Sequence, residues 1–151
     1  MSALAPIGRF LFALMFILSG YRHLQNTEAL AGYAASQGIP MPEMAVIASG
    51  IMLLVGGVLV LVGAFARFGA LLVAIFLLVA AFTMHRFWAI EDPMAAQMQF
   101  SHFMKNLSMA GGAFLLMYFG PGPFSIHWAR RRRATSGDEV SVPLRERFGE
   151  P

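Results

Sequence analysis

The chain has 151 residues, of which 58% are hydrophobic and only 13% charged, too little polar side chain to cover a water-soluble globule, so ordinary soluble domains are excluded. It contains no cysteine, which excludes dithiol exchange, thiolate metal sites and self-held iron–sulfur clusters, and with them the disulfide-exchanging class of small four-helix membrane enzymes. The net charge of +3 comes largely from residues 129–151, which hold six of the eleven basic and four of the eight acidic groups; beside an apolar span this excess fits a membrane surface, and no nucleic-acid partner is expected.

The first apolar run, about Ala3 to Gly20, centres on FLFALMFIL and reads as a membrane-spanning helix. Arg9 lies near its start and can return its guanidinium to the headgroups while its stem follows the lipid. No A-x-A-like cleavage site precedes the polar SGYRHLQN, so this helix is expected to be retained rather than removed as a signal peptide. In the polar interval 21–43, Glu28 to Gln37 can form a short interfacial helix. Asn26 or Thr27 would be its N-cap and Gly38 would lie past its end, before GIPMP imposes an extended path.

No charged residue interrupts Met44 to Ala66, a run long enough to cross the ~30 Å hydrocarbon core with some tilt. Ser49, Gly56 and Gly63 recur at sevenfold spacing on one face, where small side chains allow another helix to approach. Ala66-Arg67-Phe68 then turns the chain, and Phe68 to Met84 supplies a further uncharged run of about 25 Å, giving an antiparallel hairpin. A fourth span is expected from about Phe100 to Phe119, stopped by GPGP at 120–123. Trp128 offers an interfacial anchor, and Arg130 to Arg133 open a polar tail.

The expected fold is therefore all-α: an integral membrane four-helix bundle over residues 1–128, followed by a basic cytoplasmic tail, 129–151, too polar to build a core. Arg9, Arg67 and the Arg130–Arg133 cluster on one side, against Arg22, Arg86 and Lys105 on the other, predict an N-in/C-in topology in the bilayer.

Chemistry concentrates between His85 and Asn106, where HRFWAIEDPMAAQMQFSHFMKN places polar groups between two apolar runs. On a helix, His102, Lys105, Asn106 and Met109 form one stripe that cannot cheaply face lipid and is expected to point into the bundle. Ser19 and His23 are i, i+4 neighbours at the end of the first helix, and His85 closes the third at the same membrane face. His23, His85, His102, Lys105 and Asn106 can thus line one outer-leaflet pocket, with Tyr21 and Trp88 as walls. Such a pocket offers a cation, proton donors and acceptors near neutral pH and a fixed amide, and a quinone ring fits that description. The alternative is purely structural, with Lys105 reaching to the interface and Asn106 bonding between helices. No metal site is expected: His85 and His102 are far apart in sequence and no H-E-x-x-H spacing occurs.

GRFLFALMFILSG, GIPMP, the arginine after the second helix, HRFW and FMKNLSMAGG, in that order, resemble the DoxX family of small four-helix membrane proteins over roughly residues 7–119. Its members are generally bacterial inner-membrane proteins; the family name comes from a subunit linked to thiosulfate:quinone oxidoreductase, others are associated with redox-stress complexes, and many have no assigned activity. The resemblance implies a redox-linked, quinone-associated inner-membrane subunit. An oxidoreductase partner subunit would then be needed, because the chain shows no electron carrier of its own. The other class is a noncatalytic scaffold or assembly factor, and transport would require a homo-oligomer. SGYRH departs from the common S-G-x-x-K pattern by placing His23 where Lys is usual, which makes a charge-dependent role there pH-sensitive or absent.

Overall fold

The computed structural model describes residues 3–126, and every regular element among them is helical. Helix α1, Leu4–Gln25, runs past the expected end at Gly20, so Tyr21, Arg22 and His23 lie on it. It stops where Thr27 Oγ1 and Asn26 Nδ2 bond back to the carbonyls of His23 and Arg22, at 2.9 and 3.3 Å, satisfying part of the open last turn. The short α2, Thr27–Ser36, follows at once. Helix α3, Pro42–Val62, has proline in its first turn and ends at Gly63, whose φ of 73° is the left-handed conformation that closes helices and that a side chain would strain.

Helix α4, Ala66–Met84, leads into a single 3₁₀ turn at Phe87–Ala89, and α5 covers Pro93–Phe119. The last helix begins about two turns ahead of the expected Phe100. Asp92 explains this: its carboxylate accepts from the Ala95 N–H at 2.8 Å, and Pro93 supplies a preset first turn. Residues 93–99, ahead of the expected span, are therefore helix as well.

Packing runs α1 on α3, α3 on α4 and α4 on α5, with α2 resting against α3. The core takes residues from all four long helices: Ala13 and Phe16 from α1, Leu53 and Val60 from α3, Ala70, Val73, Ala74 and Leu77 from α4, and Ala110 and Ala113 from α5. Small residues bring the axes close. A Cβ on Gly69 would lie 2.7 Å from the Gly56 carbonyl oxygen, and one on Gly20 would lie 2.7 Å from that of Gly50. The sevenfold seam on α3 is accordingly divided among partners: Ser49 meets α1, Gly56 meets α4, and Gly63 meets Arg9. Apolar side chains such as Ile51, Val55, Ile75 and Phe82 point outward, as a lipid-facing surface requires.

The position of Arg9 differs from the sequence expectation. Instead of reaching to the headgroups it is only 6% exposed, folded against the bundle with Nη2 donating to the Phe124 carbonyl at 2.9 Å. The turn after α5 covers it. The basic tail at 129–151, with Trp128 and Arg130–Arg133, lies outside the described residues.

Candidate functional site

At one end of the bundle the C-termini of α1 and α4 meet the N-terminal parts of α3 and α5. A cavity of about 430 Å³ sits there among α1, α2, α3 and α4. Its walls are mainly apolar, including Leu30, Ile39, Val46, Met52, Phe76 and Met84. The polar groups are few: His23, Ser49, Tyr33, Thr83 and His85. This size, and this ratio of apolar wall to a few polar groups, are those of small-molecule sites. Lining residues that are themselves exposed, Ala48 on α3 and Val79 on α4, mark a mouth facing the lipid side. Helix α2 forms the cap, tied across by Tyr33 Oη donating to the Met84 carbonyl at 3.3 Å and by Arg86 Nη2 donating to the Gln37 carbonyl at 3.0 Å.

Hydrogen bonding sets the state of both cavity imidazoles. Ser49 Oγ gives its proton to the Val46 carbonyl at 2.9 Å, so its oxygen accepts from His23 Nδ1, also at 2.9 Å. His85 Nδ1 lies 2.7 Å from Gln99 Oε1, which can only accept. With Ser49 donating to Val46 and Gln99 turned with Oε1 toward His85, a neutral ring at either place carries its proton on Nδ1 and leaves Nε2 to accept. Phe76 holds His23 edge-on at 5.7 Å. Among the described residues no carboxylate lines the cavity.

The seven residues singled out from sequence divide into groups. His23 and His85 line the cavity. His102 does not; it stacks on His85 from outside, centroids 5.2 Å apart, with Lys105 Nζ 3.4 Å from its Nδ1. The stripe expected to point inward as a unit is split along its edge: Asn106 is buried at 6% exposure, whereas Lys105 is exposed. Two walls are also absent. Tyr21 is 57% exposed, and Trp88 is 56% exposed within a ring cluster with Phe87 and Phe103. Tyr33, Ser49, Thr83 and Gln99 were not singled out for a site. Only Ser49 carried a sequence signal, its place on the small-residue seam, and that signal pointed to packing. Among the described residues no group of three or more His, Asp or Glu is placed to hold a metal ion.

A helical bundle with lipid-compatible outer faces defines an integral membrane protein, and among the described residues three helical stretches, Leu4–Gln25, Pro42–Val62 and Ala66–Ala89, are long and apolar enough to cross a bilayer. The chain belongs to the DoxX family, which matches residues 4–86. It is similar to the inner membrane protein YphA of Escherichia coli (strain K12), at 32% identity over 120 residues, 80% of this chain and 85% of the relative. It is also similar to the inner membrane protein YqjF of the same organism, at 31% identity over 123 residues, 80% of this chain and 86% of the relative. No solved structure matches the chain significantly. Like these relatives it is an inner-membrane protein, and its helices make it multi-pass.

Proposed function

We propose that the protein is a quinone-binding membrane subunit whose site is the cavity between His23 and His85. The observation that carries this reading is an apolar chamber with two imidazoles at its polar end, each hydrogen-bonded through Nδ1. Neutral Nε2 atoms accept from quinol hydroxyls; protonated rings donate to quinone carbonyls. Reduction of a quinone takes two electrons and two protons. The imidazoles exchange the protons, and the electrons come from an oxidoreductase partner, since the chain has neither cysteine nor a metal cluster among its described residues.

In this reading α5 is the fourth span. Its 27 residues reach about 40 Å, enough for a crossing from about Phe100 to Phe119 with two turns left at the histidine end. The basic residues Arg9, Arg67 and Arg130–Arg133 favour cytoplasmic termini, and the cavity then opens in the outer leaflet.

A short-chain quinone added to the detergent-solubilised protein should raise its melting temperature; at 100 times its dissociation constant it contributes about 2.7 kcal/mol. The shift should shrink in His85→Ala and persist in Lys105→Met, because Lys105 lies outside the cavity. Equal shifts in wild type and His85→Ala would remove the quinone site and favour the scaffold or assembly role.

A further inference from the structure

Helix α2 roofs the histidine cavity, contributing Leu30, Tyr33 and Ala34 to its lining, with Ile39 just beyond its end. It is weakly held there. Of its ten residues only Ala34 is buried, and it packs chiefly on α3. A helix this short has little stability apart from its packing, and the face that α2 turns inward meets open space where a core helix would meet side chains.

The two ends of α2 are fixed differently. Its start is joined to α1 through Asn26, whose φ of −118° and ψ of 38° bend the chain, and Thr27 Oγ1 bonds back to the His23 carbonyl. Its far end runs into Gly38 and Met41, both left-handed, with φ of 77° and 49°. Glycine accepts that conformation freely, whereas methionine is strained in it. Across the cavity α2 is tied by the Tyr33 bond to the Met84 carbonyl and by the Arg86 bond to the Gln37 carbonyl, both of them exposed. Such bonds exchange with water at small net cost, so they hold the helix down without locking it. They also flank His85 in the chain, since Met84 precedes it and Arg86 follows it.

We propose that α2 is a lid over the cavity, pivoting at Asn26 and latched by Arg86 and Tyr33, and that the ligand enters and leaves when it opens. Opening uncovers the His85 end first. The lid rests on the cavity being the ligand site of the reading above, whatever fills it.

The test uses full-length protein in detergent. Hydrogen–deuterium exchange of peptides from residues 27–36 and 42–62 is compared in wild type, Arg86→Ala and Tyr33→Phe. A short-chain quinone is then mixed with wild type and Arg86→Ala to obtain association and dissociation rates. Residues 27–36 should exchange about tenfold faster than 42–62, because their opening is local. Each variant should quicken exchange of 27–36 alone by about threefold, the effect of one exposed hydrogen bond. In Arg86→Ala, association and dissociation should both quicken by a similar factor, because the latch is broken with and without ligand. Arg86 is exposed and is not in the cavity lining, so its variant keeps the fold. The lid is overturned if 27–36 exchange as slowly as α3, if neither variant quickens that exchange, or if exchange quickens while the quinone rates do not. Wild-type protein that binds no quinone, with exchange as expected in all three proteins, overturns the quinone reading and leaves the latched lid standing.

Discussion

His85 stacks on His102 with ring centroids 5.2 Å apart and planes inclined by 29°, while its Nδ1 lies 2.7 Å from Gln99 Oε1. Gln99 and His102 sit three residues apart on α5, where side chains share a face. Helix α5 supplies no residue to the cavity lining, yet it sets the ring that does. Through this pair the fourth long helix is coupled to the site.

Gln99→Leu should accordingly weaken quinone binding about tenfold, the ~1.4 kcal/mol that a partly buried hydrogen bond carries. The variant leaves the cavity volume alone but deprives His85 Nδ1–H of its acceptor, freeing the ring to turn. Ser49→Ala should act in the same direction through His23. Titration of a short-chain quinone against each purified variant gives the ratio, and wild-type affinity in both would show that the tautomer does not matter.

Gly69→Leu should destabilise the bundle by more than ~1 kcal/mol, because even the first added carbon falls 2.7 Å from the Gly56 carbonyl, which belongs to backbone and cannot rotate away. Gly32→Leu is the control, since nothing lies within 4 Å of the Cβ it would add. Thermal unfolding in one detergent compares the two, and equal losses would contradict the close α3–α4 approach.

The topology predicts that Ser36→Cys and Ser136→Cys are labelled from opposite sides of the membrane by an impermeant maleimide. The chain has no cysteine of its own, so each variant carries a single target. Labelling of both from one side would require an even number of crossings between them and the loss of the N-in/C-in arrangement.

The helical membrane class was legible from the sequence because it depends on local quantities: unbroken apolar runs, the charges that bracket them and the glycines and prolines that end them. Even the early start of α5 was written in Asp92-Pro93, a cap and a preset first turn, though the cluster of polar residues around it read as loop. Legibility stopped at the faces. Helical spacing put His102, Lys105 and Asn106 on one stripe, but a stripe has width, and the line between Asn106 inside and Lys105 outside is drawn by how α5 rotates against α4. Arg9 is the same case: its own helix permits it to reach the headgroups, and only the return of the chain at Phe124 buries it. Which imidazoles face a cavity, and which partner fixes each tautomer, are contacts between residues 26 and 14 positions apart, His23 with Ser49 and His85 with Gln99. Periodicity along one helix has no term for such pairs, whose geometry exists only once the axes have packed.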